Sequence, residues 1–350
     1  PDGSGGAYIA WQDESGTFQV YLQRITSSGN IYPGWPAAGL PVVASPPDAQ
    51  YDPSIASDGA GGALVAWEQR DPTHNDRDVY VQRITGSATV AAAWPAGGVA
   101  VGYYAGDQLE ARVISDGAGG AIVGWWDYRN FPTTRALYAG KVTAAGAQPW
   151  TAGGEWVADD VVTSSYPPPL CTDMTGGVYL AWETSATGGN YDVYIQRLDT
   201  NGQRVTGWPS GGENFVPTPQ PQINPDLISD GVGGAIVAWE DYRTATEFDI
   251  YAIRVTAASQ IYPGWNTSGV PVCDEPGSGQ WLPKLVTDGN YGAIVTWIDG
   301  RDGLNNIYSE RVNALGNLAW APGENGRRLG FHSAIQINHD ACTDGSGGVF

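Results

Sequence analysis

An all-β fold, a β-propeller of six four-stranded antiparallel blades, is predicted by three features of the 350-residue sequence. A unit of 56 to 58 residues recurs from end to end, its opening Asp falling at Asp2, Asp58, Asp116, Asp173, Asp230, Asp288 and Asp344. Each copy carries a D-G-x-G-G turn or a close variant followed by an apolar run such as AIVAW, with no helical periodicity between runs. Twelve of the 15 tryptophans fall at just two positions of the unit. A period this long and regular marks a repeat architecture: one domain over 1–350, with units starting near 2, 58, 116, 173, 230 and 288 and a partial unit over 344–350.

The elements of a unit follow in order. The turn, as in Asp58–Gly62, Asp116–Gly120 and Asp230–Gly234, supplies glycines that accept positive φ and an Asp that bonds nearby N–H groups, the chemistry of a short hairpin connection. The run after it (Ala7–Trp11, Ala63–Trp67, Ala235–Trp239, Ala293–Trp297) is apolar at nearly every position, so both faces of that strand are expected to be covered. A short strand such as Pro225–Ser229 or Pro283–Thr287 precedes the turn. Past a loop comes a third strand with Tyr second, as in Val20–Ile25, Val79–Ile84 and Ile250–Val255. A glycine-bearing turn then leads to the second repeated Trp (Trp35, Trp94, Trp150, Trp208, Trp265, Trp320) and a fourth strand like Gly269–Cys273. The first repeated tryptophans, Trp11, Trp67, Trp125, Trp182, Trp239 and Trp297, are read as core. Each large ring buries about 150 to 250 Å², on the order of 4 to 6 kcal/mol before entropy.

The basic residue at Arg24, Arg83, Lys141, Arg197, Arg254 and Arg311 recurs in every copy and is expected to pair with acids such as Glu68, Glu183 or Glu240 on the adjacent strand. The turn Ser229-Asp230-Gly231, the strand Ala235–Trp239, Arg243 and Ile250-Tyr251 together resemble the repeats of TolB-type and secreted bacterial propellers, as do Ser57-Asp58-Gly59 and Val79-Tyr80. That resemblance implies the propeller fold and nothing about partners. Asn338–Thr343 reads as a spare copy of the first strand, which would close a six-bladed ring. A chain that is a piece of a longer polypeptide would allow seven blades or more.

Composition narrows the function. A formal charge of −20 and a pI near 4.2 repel a nucleic-acid backbone or an anionic membrane surface. No apolar run is long enough to span a bilayer. Cys171, Cys273 and Cys342 cannot all pair, and buried free thiols are expected. His74, His332 and His339 lack zinc-ligand spacing, and no nucleophile elbow, P-loop or dinucleotide fingerprint is present. No cofactor is implied; calcium among loop oxygens has no motif behind it.

The second-to-third and fourth-to-first connections vary most between copies and share one face, so that face is the candidate binding face. Residues there that break the repeat are Trp126, Trp281, Tyr103, Tyr104, Tyr128 and Tyr242, with Phe131 and Tyr166. Such rings can stack on sugars or grip a peptide, and equally can cap the core. Asp107, Glu110, Asp159-Asp160 and Asp274-Glu275 are the loop carboxylates from which an acid and base pair could be drawn. The leading expectation is a non-enzymatic extracellular or cell-surface module, with a periplasmic setting as the alternative, binding protein or glycan at the variable face. The rivals are a glycan-directed hydrolase or lyase with carboxylates at the propeller mouth, and a structural repeat of a larger surface protein.

Overall fold

A computed structural model describes the chain except for residues 74, 132–134, 160–166, 186–189, 321–322, 331–333, 338 and 345. The protein is an all-β propeller-type fold whose repeats form six antiparallel sheets among the described residues. It divides into two compact units, Pro1–Val178 with Leu198–Arg204, and Tyr179–Arg197 with Val205–Phe350.

In the first unit, the opening repeat contributes Ala7–Asp13, Gln19–Ile25 and Leu40–Pro41. The second contributes Gln50–Ser57, Ala63–Asp71, Asp76–Ile84 and Val99–Gly102, paired in sequence order. The third repeats that meander with Gln108–Ser115, Ala121–Asp127, Ala136–Val142 and Glu155–Asp159. The second unit holds all but the end residues Val178 and Leu198 of the fourth-repeat strands Val178–Thr184 and Asp192–Leu198, then two full meanders. These are Gln222–Ser229, Ala235–Asp241, Asp249–Val255 and Val270–Cys273, and Gln280–Thr287, Ala293–Asp299, Asn306–Val312 and Arg327–Arg328. Near the C-terminus, Thr343 pairs with Val349 across the turn that Asp344 opens.

The unbroken apolar run is explained by packing on two sides. Ala63, Val65 and Trp67 join Val20, Leu22 and Trp35 of the repeat before. Leu64 and Ala66, facing the other way, join Val113, Val123 and Trp125 of the repeat after. Each first Trp stacks on the Tyr of its own third strand, as Trp67 does on Tyr80 at 5.8 Å. A glycine of the fourth-strand approach lies against the ring: a Cβ on Gly98 would come 2.5 Å from Trp67.

The structure corrects the pairing of the repeated basic residue. Its partner is the turn Asp, as in Arg24–Asp2 at 2.8 Å, Arg83–Asp58 at 2.9 Å, Arg254–Asp230 at 2.8 Å and Arg311–Asp288 at 2.9 Å. One Asp oxygen accepts the turn N–H groups, for Asp230 those of Val232 and Gly234, and the other takes the guanidinium. The turn Asp thus saturates both oxygens in its own repeat, and Glu68 and Glu240 are left for another task. Burial opposes ionisation of Asp2, yet the bonds from Ser4, Arg24 and Gly6 hold its carboxyl well below the usual range.

The same Arg reaches into the following repeat. Arg254 and the Trp265 indole both donate to the Ala314 carbonyl, each at 3.0 Å. Arg24 and Trp35 do the same to Gly86, and Arg197 and Trp208 to Ala257. The second repeated Trp is therefore a joint between blades. A second correction concerns the thiols: Cys171 and Cys273 are buried, but Cys342 is exposed.

Candidate functional site

The first strand of each full sheet starts with a buried Gln: Gln50, Gln108, Gln222 and Gln280. Two residues on, the ladder slips in register and the chain takes a left-handed conformation, at Asp52 (φ 49°), Glu110 (φ 57°), Asn224 (φ 51°) and Leu282 (φ 52°). These are β-bulges, which re-aim a side chain at a cost in backbone strain and are enriched beside functional sites. The backbone is constant while the side chain changes from carboxylate to amide to leucine. Two carboxylates fall on neighbouring strands of the first unit.

Each bulge N–H is accepted by the residue after the first Trp of the preceding repeat. Glu68 Oε1 takes Glu110 N at 2.7 Å, Glu240 Oε1 takes Leu282 N at 2.8 Å, Glu183 Oε2 takes Asn224 N at 2.5 Å, and Gln12 Oε1 takes Asp52 N at 3.1 Å. Glu68 and Glu240 are pins between repeats, and burial pushes each carboxyl up to about 7.

Around the Asp52 and Glu110 bulges a cluster forms. Arg77 Nη1 holds Glu68 at 2.8 Å and Asp52 at 3.6 Å, and its guanidinium lies 4.3 Å from the centre of the Tyr51 ring. Arg77 thus links Asp52 to Glu68 through a single guanidinium nitrogen. Asp52 is largely exposed at 61 %, whereas Glu68 is sealed at 1 %. Burial raises the Glu110 carboxyl, the negative charge of Asp52 adds to that, and Arg77 and Arg135 oppose it. Beside the cluster opens a cleft of about 290 Å³ lined by Tyr51, Arg70, Asn75, Asp76, Arg77 and Asp107. Asp107 bonds Arg77 N at 3.0 Å and, through its carbonyl, Tyr128 N at 2.8 Å. The loops around 71–77, 102–108 and 127–131 are thereby tied together.

The predicted rings are distributed unevenly. Trp126 is 2 % exposed and covered by Arg135, whose guanidinium lies 5.1 Å from the ring centre. This is the core-capping alternative, and Trp126 offers no free face for stacking. Tyr128 receives a hydrogen bond from Arg135 at 3.1 Å and packs on Phe131. Tyr103 and Tyr104 are exposed and stacked, 5.8 Å apart and 7° from parallel. In the second unit, Tyr242 packs on Phe248, and Trp281 lies within the strand Gln280–Thr287, opposite Ile298, rather than before it. Glu110, read as a loop residue, sits inside the strand Gln108–Ser115. Asp160, Tyr166, His74 and His332 lie outside the described residues.

Sequence reasoning missed Asp52 and Arg77. The signal that points to Asp52 is the alignment of QYDPSIAS, QLEARVIS, QINPDLIS and QWLPKLVT, in which the third and fifth residues change chemical class after a fixed Gln. Among the described residues no group of three or more His, Cys, Asp or Glu could hold a metal ion. Among the described residues no helix is long and apolar enough to cross a membrane.

No protein-family model and no curated protein sequence matches the chain. Solved structures do show a likeness. A Penicillium chrysogenum α-L-arabinanase complexed with arabinobiose is 17% identical over 69% of this chain and 74% of its own, with a TM-score of 0.44. A levansucrase of B. megaterium is 14% identical over 88% of this chain and 89% of its own, with a TM-score of 0.40. A Bacteroides thetaiotaomicron endo-arabinase is 14% identical over 65% of this chain and 82% of its own, with a TM-score of 0.35. These neighbours are glycan-active enzymes, which stands against the expectation of a non-enzymatic module, and the likeness to them is one of fold alone. No residue is carried across from them.

Proposed function

We propose that the protein is a glycan-directed hydrolase whose centre is the Asp52–Arg77–Glu110 cluster of the first unit. The observation that carries this reading is the pair of carboxylates on the strained bulges of successive repeats, beside a cleft whose polar lining includes Arg77, the residue that holds Asp52. Glycoside hydrolysis needs one carboxyl that holds its proton near neutral pH and one carboxylate that attacks or activates water. Glu110, raised by burial, is the proton donor to the departing oxygen. Asp52, exposed and held by Arg77, is the nucleophile or the base. Glu68 orients: it fixes the Glu110 backbone and Arg77 at once, and is too enclosed to touch a substrate. Trp281 and Tyr242 belong to the other unit and are given no part in this centre. The setting is extracellular or cell-surface, where polymeric glycans are met.

The test is reducing-end release from a panel of neutral polysaccharides. Glu110→Gln and Asp52→Asn should each lower kcat by about 100-fold or more while leaving the melting temperature within a few degrees. A wild-type chain that releases no sugar from any panel member, or variants that keep full rate, would overturn the assignment.

A further inference from the structure

Building on the glycan-directed reading, we propose that the Tyr103–Tyr104 ring pair is a stacking subsite that holds the sugar chain of a neutral polymer as it leaves the cleft. The argument begins with a three-residue motif, D-x-R, that follows the first Trp in three repeats. Asp127–Arg129, Asp241–Arg243 and Asp299–Arg301 each form a salt bridge at 2.6 Å, with the first-Trp indole also donating to the Asp. In all three the guanidinium lies over the third-strand Tyr: 3.9 Å from the ring centre of Tyr138, 3.7 Å from that of Tyr251 and 4.3 Å from that of Tyr308. Threefold use marks this as a structural device.

One copy departs from the pattern. Among the described residues, only Arg129 of these three arginines is covered by a second ring, Tyr104 at 4.2 Å, and on Tyr104 lies Tyr103. The result is a column of four planar groups, Tyr138, Arg129, Tyr104 and Tyr103. Its base is locked, since Arg129 also donates to the Gly153 carbonyl at 2.7 Å and Tyr104 closes over Gly153, where a Cβ would come 2.0 Å from the ring. Its top is open, with Tyr103 39 % and Tyr104 44 % exposed. An aromatic surface so pre-ordered loses little entropy when a ligand stacks on it. A column that served only to cover Arg129 would need one ring, and two are present.

Two observations choose the occupant. The column stands on the same loop as the cleft: Gln108 brackets Tyr104 through both its main-chain groups, Gly106 N bonds Asp76 Oδ2 at 2.6 Å, and Asp107 lines the cleft wall. Only two residues separate Tyr104 from Asp107, at most about 11 Å of chain, a distance a short oligosaccharide spans. The chemistry must also suit both ends. A ligand that satisfies Arg, Asn and Asp side chains in the cleft and also lays a C–H face on a tyrosine is rich in hydroxyls and flat on one side. With Arg129 neutralised by Asp127 and a chain charge of −20, it carries no negative charge.

The experiment is calorimetric titration of neutral xylo-, arabino-, fructo- and cello-oligosaccharides, from disaccharide to hexasaccharide, into the Asp52→Asn protein with and without Tyr103→Ala or Tyr103→Phe. Expected is a hexasaccharide affinity that falls about tenfold with Tyr103→Ala, disaccharide affinity within about twofold, and near-parent behaviour for Tyr103→Phe. The subsite is refuted if no panel member binds, if Tyr103→Ala leaves hexasaccharide binding intact, or if it weakens short and long chains alike. Binding with the Tyr103 dependence but no reducing-end release by the wild type would sink the hydrolase assignment and leave the subsite standing. Release from long chains at an unchanged rate and KM in Tyr103→Ala would do the reverse.

Discussion

Glu240 shows at the scale of one residue how a carboxyl can serve a fold while resisting ionisation. Its Oε1 accepts from Leu282 N and from Asn224 Nδ2, and burial, the larger effect, pushes it up to about 7 from 4.5. Because the folded value lies above the unfolded one, the proton is held more tightly in the native state. Stability from this group is therefore full below pH 4.5 and is lost as pH rises through 7. Glu240→Gln keeps the acceptor and removes the titration. It should be more stable than wild type by about 3 kcal/mol at pH 8.5, with the gap closing towards pH 4.5, as read by urea unfolding across pH. A gap independent of pH would show that burial does not raise the group. Single residues were the least legible part of the sequence. Nothing local announces that Asp52 and Glu110 sit at positive φ, since both residue types tolerate many conformations, and nothing distinguishes a covered Trp126 from an exposed one. Tyr103 and Tyr104 stand out in the sequence because adjacent tyrosines in a variable loop have no repeat role to fill, and the structure leaves both rings exposed.

At the scale of the element, the hairpin turn was readable to the residue, because its glycines answer a steric demand. A Cβ on Gly234 would stand 2.3 Å from the Val255 carbonyl oxygen and 2.6 Å from Asp230 Oδ2, while Val232 points to solvent at 58 % exposure. Gly234→Val should cost about 3 kcal/mol or more, and Val232→Thr under about 0.5, measured by thermal unfolding. The joint after the turn offers a finer contrast. Trp265→Phe removes one donor from the Ala314 carbonyl but leaves Arg254, so about 1 kcal/mol is expected. Arg254→Met strips the buried Asp230 of its cation and should cost about 3 kcal/mol or more. Equal losses would mean the ring, not the ion pair, carries the joint. The sequence alone paired this Arg with the wrong acid because strand neighbours were visible and the return of the side chain to the turn was not.

At the scale of the whole molecule, 37 acidic against 17 basic residues set what can approach. A uronic or sulfated glycan should be retarded less than a neutral one in affinity electrophoresis at low salt, and tighter retention of the acidic polymer would contradict the charge argument. The propeller class was legible because a period of 56 to 58 residues repeats one packing problem, and the same residues solve it each time. The joints extend that logic to ancestry. Among the described residues, the indoles of Trp35, Trp94, Trp150, Trp208 and Trp265 each reach forward to a turn carbonyl of the next repeat, joined in three copies by the guanidinium of Arg24, Arg197 or Arg254. A tandem duplication of one repeat in the gene thus delivers a blade already fitted to both neighbours, so growth of this architecture by unequal recombination requires no new contact to evolve.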